Sequence, residues 1–308
     1  MEIIDLNGYE EKRFETAVAL GNFDGVHVGH EHLIRDNIKK AKEMNLKSSV
    51  LLFKNHTRTT LTNEGKPKLK IITPYEKKVN IIEKLGIDLI FSIDFDKNIM
   101  SLSPEDFVEK FLIKKLNSKL VTVGFDYRFG YKAKGDSRLL KKLGNDLGFK
   151  VNIIEPIYIE GELISSTRIR QLIKSGLISK ANKFLGKKYS ISGRVIKGDS
   201  RGAGMGFPTA NLKLTDDYVV PKIGVYETIT LLEGGERYRS LTNIGYNPTF
   251  DGKELKIETH ILNFEGNLYD KDIEISFIDY IRDDIKFDTV EELIKQIQLD
   301  IEYIKKKQ

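Results

Sequence analysis

The chain changes rhythm a little past its midpoint. Up to Leu185, short apolar runs alternate with longer stretches whose apolar positions recur every three or four residues. The runs at 17–20, 49–53, 89–93, 120–123 and 151–154 are almost continuously apolar, as strands buried on both faces are. Between them, 31–44, 74–85, 104–116 and 137–147 carry helical periodicity. Thr73 and Ser103 each precede a proline, a pairing that predicts an N-cap with proline in the first helical turn. Strand–helix alternation of this kind predicts a parallel sheet covered by helices on both faces. From Tyr189 onward the pattern is different. Runs at 189–196, 224–232, 238–244, 255–262 and 273–280 read as strands, broken by turns such as Glu233-Gly234-Gly235. One amphipathic helix, from Thr289 to about Lys305, closes the chain. Successive short strands predict a small antiparallel barrel. The expected division is therefore 1–185 and 186–308, with the change at Phe184-Leu185-Gly186-Lys187-Lys188.

Composition narrows the function classes. At 308 residues the chain can bury two cores. Lysine and arginine number 50 against 45 acidic residues, interleaved without a long basic block, which argues against nucleic acid as a partner. There is no cysteine, so disulfides, thiolate catalysis and cysteine-based zinc sites are excluded together, and a reducing compartment fits. Met1-Glu2-Ile3-Ile4-Asp5 lacks the basic start of a signal peptide, and no apolar run reaches the roughly 18 residues of a membrane helix. The expectation is a cytoplasmic protein without a membrane partner.

The most informative stretch is Gly21-Asn22-Phe23-Asp24-Gly25-Val26-His27-Val28-Gly29-His30. It lies where a buried strand hands over to a helix. A helix N-terminus offers unpaired N–H groups and a positive dipole end, a seat for phosphate. Glycine lets backbone approach a ligand closely. His27 and His30, three apart, project from one side and can donate hydrogen bonds to phosphate charge that grows during reaction. Ile164-Ser165-Ser166-Thr167-Arg168-Ile169-Arg170 places hydroxyls and a guanidinium at another helix start, a set suited to phosphates. Gly124-Phe125-Asp126-Tyr127-Arg128-Phe129-Gly130 follows a strand end, where ligands of open α/β sheets bind. In the second half, Gly198, Gly202, Gly204 and Gly206 punctuate a loop that runs into Phe207-Pro208-Thr209-Ala210-Asn211. If that segment is extended, Thr209 and Asn211 face one way and can meet a hard cation. Glu258 lies on an alternating strand, and His260 shares its parity.

These segments resemble those of the bacterial bifunctional riboflavin kinase/FAD synthetases, from about residue 15 to 300. The wording G-N-F-D-G-V-H-x-G-H matches the family's nucleotidyltransferase motif, and S-S-T-x-I-R matches the run beside its ATP phosphates. G-x-G-F-P-T-A-N, N-I-G-Y-N-P-T-F (243–250), E-T-H (258–260) and I-R-D-D-I-K-F (281–287) match motifs of its kinase half. The resemblance implies a Rossmann-like adenylyltransferase domain of H-x-G-H type, then a β-barrel riboflavin kinase domain with a C-terminal helix. It also implies riboflavin, FMN and ATP as substrates and magnesium as cofactor. By that resemblance His27, His30, Arg168 and Glu258 are catalytic, Glu258 as the base for the ribityl 5′-hydroxyl. Asn22, Phe23, Asp24, Gly25, Asp126, Ser166, Thr167, the four loop glycines and Arg282 contact ATP or flavin. By the same resemblance Thr209 and Asn211 hold magnesium; His260, for its part, is read as structural. One departure stands out: the family's F-x-P-H-P is here Phe53-Lys54-Asn55-His56-Thr57, which keeps His56 but loses both prolines. Two rival classes remain. A non-catalytic flavin sensor built on the same domains is disfavoured by the intact set of reactive side chains. A tRNA-charging or RNA-modifying enzyme, suggested by the likeness of H-x-G-H to H-I-G-H, is disfavoured by the weak basic asymmetry and the kinase half.

Overall fold

Six parallel strands make the sheet of the first half: β1 (Glu2–Asp5), β2 (Thr16–Ala19), β3 (Lys47–Phe53), β4 (Leu89–Ile93), β5 (Ser118–Gly124) and β6 (Lys150–Ile154). Their order is β1-β4-β3-β2-β5-β6. The computed structural model describes residues 1–8, 14–54, 69–198, 201–249 and 252–307. Asn55, His56 and Thr57 lie outside the described residues. β1 escaped the sequence reading because only Ile4 of its four residues is buried, too few to show a pattern.

Each central strand feeds two cores, which is why its run is largely apolar on both faces. Ala19, Val50, Leu52 and Ile90 face one way, against Leu33 and Ile34 of α1 (Val28–Glu43) and Val79 and Ile82 of α2 (Tyr75–Glu83). Val18, Leu20, Leu51, Phe91, Val121 and Val123 face the other way. There they meet α3, which opens as Pro104–Asp106 and widens over Phe107–Lys115, and Leu140 of α4 (Ser137–Leu147). The widening appears at the end of α3, where the Leu116 amide donates to the Phe111 carbonyl five residues back at 3.0 Å. Ser103 caps α3, its hydroxyl accepting from the Asp106 amide at 3.0 Å, with Pro104 at the first position. Thr73 does not cap α2. Pro74 occupies the cap position without a side-chain bond, and the Thr73 amide donates to Asp24 at 3.0 Å.

A buried polar knot ties α1 to the sheet. Asn37 donates to the carbonyls of Ala17 and Ser49 at 2.9 and 3.3 Å and accepts from the Thr122 hydroxyl at 2.9 Å. A fully buried amide is tolerable only with such partners.

Contacts divide the chain into two units, Met1–Ser166 and Thr167–Gln308. The second unit begins within α5 (Ser166–Lys174) and continues through α6 (Ile178–Leu185). Six strands then close a barrel: β7 (Ser190–Ile196), β8 (Ala210–Leu214), β9 (Gly224–Leu231), β10 (Arg237–Thr249), β11 (Gly252–Ile261) and β12 (Asp272–Arg282). The order is β7-β8-β11-β10-β9-β12, every pairing antiparallel. Asn182 of α6 fastens its helix to the barrel, donating to the Phe277 carbonyl at 2.9 Å and accepting from the Tyr189 amide at 2.7 Å.

Alternation sorts the barrel's side chains. Tyr226, Thr228, Ile244, Thr242, Ile257, Thr259 and Phe277 are buried inside. The hydroxyls satisfy one another: Thr228 with Thr242 at 2.7 Å, Thr242 with Thr259 at 2.9 Å and Thr230 with Ser240 at 2.7 Å. On the outer face Val225, Leu241 and Leu262 pack with Ile297, Ile301 and Ile304 of α7 (Val290–Lys306). Thr289 caps α7 as its position before the apolar stripe predicts, accepting from the Glu292 amide at 3.2 Å.

Candidate active sites

In the first unit, chain direction reverses about β2. The connection from β2 leads to β3 on one side, and that from β5 leads to β6 on the other. The crevice at the carboxyl ends of β2 and β5 is thus a topological switch point, where open α/β sheets bind ligands. The Gly21–His30 turn and the Gly124–Gly130 turn leave these two strand ends.

The first turn is tightly wound. Phe23, Gly25 and Val26 have φ of 46°, 88° and 38°. A β-branched residue with positive φ is costly and persists only where its surroundings hold it. Here Phe23, Val26 and Asp24 are all buried. The Asp24 carboxylate turns inward and accepts from the Ile72 and Thr73 amides, each at 3.0 Å. The Ser166 hydroxyl donates to the Asp24 carbonyl at 2.8 Å. Asp24 and Ser166, read from the sequence as ligand contacts, are built into the frame of the turn. Asn22 is exposed at its rim.

The turn delivers two stacked imidazoles. α1 starts at Val28, earlier than periodicity suggests, so His27 is its N-cap and His30 lies in its first turn. The His27 and His30 rings are 3.6 Å apart at 16°. Nδ1 of His27 accepts from the His30 amide at 3.3 Å, which leaves Nε2 as the ring's donor. The edge of Phe23 supports His30 with centroids 5.2 Å apart. Gly29 makes the stack possible: a Cβ there would lie 3.2 Å from the His27 ring. The stack holds both rings side by side at the start of α1, where their N–H groups can donate together to one anionic group.

Asp126 is exposed on the turn after β5, where the Tyr127 amide donates to the Gly124 carbonyl at 3.1 Å. Thr167 and Arg168 belong to the second unit, and Arg168 reaches Gln171 on its own helix at 3.5 Å.

The second site is a row across the barrel. Asn211 on β8 pairs with Glu258 on β11, and Glu258 pairs with Asn243 on β10. Asn243 pairs with Val225 on β9, and Val225 with Arg282 on β12. Directly opposed residues share a face, about 5 Å apart between Cβ atoms. The Oδ1 atoms of Asn211 and Asn243 are both buried without a hydrogen-bond partner. Glu258, between them, is half-buried and meets the Lys256 ammonium at 3.1 Å.

The glycine-rich loop presses on one end of this row. A Cβ on Gly198 would lie 2.2 Å from Nδ2 of Asn211, and one on Gly202 would lie 2.5 Å from the Phe207 carbonyl and 3.4 Å from the Thr209 hydroxyl. Arg201–Gly204 forms a single helical turn that the sequence did not announce. His260 has the structural role expected of it: its Nδ1 bonds the Pro208 carbonyl at 2.8 Å and its ring meets Phe207 edge-on.

Thr209 and Asn211 offer hard neutral oxygens, and the orphaned buried Oδ1 of Asn211 fits a small hard cation brought in with phosphates. Among the described residues no cluster of three or more His, Cys, Asp or Glu could hold a metal by itself. Arg282 binds Asp300 of α7 through Nε at 3.0 Å and Nη2 at 2.8 Å, with Gln296 bonding the same carboxylate at 2.9 Å. It clamps the last helix to the end of the row. Lys256 and Asp300 were not singled out by sequence; each acquires its partner only through the fold.

Two family models match the chain: one described as FAD synthetase over residues 9–168 and one described as riboflavin kinase over residues 185–308. A bifunctional riboflavin kinase/FMN adenylyltransferase from Listeria monocytogenes is 39% identical over 284 residues, covering 92% of this chain and 89% of that protein. The Escherichia coli K12 protein of the same description is 33% identical, covering 92% and 90%. A crystal structure from Streptococcus pneumoniae, described as a macrolide-efflux protein, superposes with a TM-score of 0.89 at 32% identity over 97% of both chains. Among the described residues of this chain, no helix is long and apolar enough to cross a membrane.

Proposed function

The chain belongs to the family of bifunctional riboflavin kinase/FMN adenylyltransferases, enzymes that phosphorylate riboflavin to FMN and adenylylate FMN to FAD, and we propose how its residues divide that work. The functional division is 1–185 for adenylyl transfer and 186–308 for the kinase. The kinase family match, which begins at residue 185, supports it.

In the kinase half, Glu258 takes the proton of the ribityl 5′-hydroxyl as that oxygen bonds to the γ-phosphorus of ATP and the bond to ADP breaks. The carboxylate orients the hydroxyl more than it deprotonates it in advance. Lys256 holds the carboxylate in place. Thr209 and Asn211 hold Mg2+, which when bound neutralises phosphate charge. Gly198 and Gly202 let the loop close on those side chains.

In the adenylyl half, a phosphate oxygen of FMN bonds to the α-phosphorus of ATP and pyrophosphate leaves. No strong base is needed, because the attacking phosphate is already anionic. His27 and His30 donate to the phosphate oxygens on which charge grows, at the positive end of α1. The Asp24 anchors hold the turn in its strained winding, so the imidazoles are positioned before substrate arrives. The lack of cysteine and the dependence on ATP favour the cytoplasm as the place of work.

The observation that carries this reading is the Asn211–Glu258 pair beneath Gly198, which sets a carboxylate beside an unsatisfied hard oxygen under a glycine loop. The test is chromatography of riboflavin with MgATP. The parent enzyme yields FMN and then FAD. His27→Ala accumulates FMN, and Glu258→Gln makes FAD only from supplied FMN. A Glu258→Gln enzyme that forms FMN at the parent rate refutes the kinase assignment.

A further inference from the structure

The row Asn211–Glu258–Asn243–Val225 has two unlike ends. Beyond Asn211 lie Gly198 and the glycine loop, the end suited to phosphates. Beyond Asn243 lies Val225, packed with Leu241, Leu262 and Ile304 into an apolar face. Between the ends sit three acceptors: the Glu258 carboxylate and the Oδ1 atoms of Asn211 and Asn243, the latter two buried and unpartnered. An amide oxygen buried without a donor is costly, so each calls for one when substrate is bound. The cation that MgATP brings suits Asn211. It does not reach past Glu258 to Asn243, which faces the apolar end.

Riboflavin has the matching order of groups. Its terminal hydroxyl reacts, further hydroxyls follow along the ribityl chain, and a flat apolar ring system comes last. With the reacting hydroxyl at Glu258, Asn243 lies about 5 Å along the row, the cross-strand spacing, within reach of hydroxyls further down the ribityl chain. We propose that Asn243 is a substrate-binding residue of the kinase site, its Oδ1 accepting a hydrogen bond from a ribityl hydroxyl on the side of Glu258 away from MgATP. This rests on the assignment of Glu258 as the base. It adds a residue that selects a polyol chain over a plain alkyl chain, since a buried acceptor left unpaired penalises the alkyl analogue.

The experiment compares parent, Asn243→Leu and Asn243→Ser enzymes in riboflavin phosphorylation, with Glu258→Gln run in parallel. Riboflavin analogues lacking single ribityl hydroxyls serve as probes. Leu keeps the size of Asn without its acceptor, whereas Ser keeps an acceptor at smaller size. Asn243→Leu should raise KM for riboflavin on the order of 10–100-fold and leave KM for ATP near the parent value. One deoxy analogue should be a poor substrate for the parent yet no worse than riboflavin for Asn243→Leu. Asn243→Ser should recover part of the loss. An unchanged riboflavin KM, or a rise in ATP KM instead, overturns the proposal. If Asn243→Leu fails to fold, the analogues decide on the unaltered enzyme: a parent that uses every deoxy analogue as well as riboflavin overturns it. Glu258→Gln with normal kcat defeats the reading beneath, a result distinct from a normal Glu258→Gln defect beside an unaffected Asn243→Leu.

Discussion

Replacing Gly198 by alanine adds one methyl group at the most crowded point of the kinase site. That carbon would fall 2.2 Å from Nδ2, 2.5 Å from Cγ and 2.7 Å from Oδ1 of Asn211. Ordinary contact between such atoms is about 3.5 Å, so the amide, the loop or both must retreat by about 1 Å. Asn211 has little room, being 8% exposed and bound by strand pairing to Glu258 on one side and Ile196 on the other. A misplacement of this size in a positioning group costs on the order of 10²-fold in rate. Gly198→Ala should therefore lower kcat for FMN formation by about that factor and raise KM for MgATP. FAD formation from supplied FMN, on the same purified protein, should match the parent, and an unchanged denaturant transition of the barrel controls for folding. A kinase with parent kinetics would show that Asn211 does not hold the nucleotide's metal.

His27→Ala should slow FAD formation by roughly 10²–10³-fold while riboflavin phosphorylation is retained, as two half-reaction assays will show. Glu258→Gln should cut kcat for FMN formation by roughly 10²–10⁴-fold with little change in KM, whereas a large KM rise at normal kcat would make it a binding residue. Asp24→Ala leaves the amides of Ile72 and Thr73 buried without their acceptor, which should destabilise the first unit by about 1–3 kcal/mol per amide in denaturant titrations and slow adenylyl transfer. Chelation by EDTA should stop both reactions and added Mg2+ should restore them; activity persisting in chelator would remove the cation from the scheme.

Local signals were readable wherever burial was complete on both faces. The run at 89–93 matches its strand because Leu89, Ile90, Phe91 and Ile93 all enter one core or the other. Ser137–Leu147 is likewise bounded by its own Asp136 cap and by Gly148 in the left-handed conformation. β1 and β8 were hidden, the first by exposure and the second because only Asn211 and Leu212 of its residues are buried, which leaves no alternation to read. The candidate site was legible as residue types and much less as relations. Asp24 reads as a ligand group beside the histidines, yet its carboxylate serves main-chain amides from a distant segment. Arg282 reads as a nucleotide contact, yet Asp300 holds it. Barrel closure depends on pairings between segments remote in sequence, so the Asn211–Glu258–Asn243 row existed only as three separate motifs until register joined them.

That register makes the kinase half sensitive to counting. A single residue inserted between Ile257 and Glu258 would turn the carboxylate into the barrel, among Thr242, Thr228 and Phe277. Two inserted residues would restore the face but carry Glu258 about 7 Å along its strand, past both asparagines. Substitutions in these strands are graded in effect, whereas changes of length are all-or-none. Gene-level drift by insertion or deletion should therefore be confined to the hairpin tips. A longer loop there leaves the row intact as long as the strand pairing keeps its register, and the strands between turns act as fixed-length rulers.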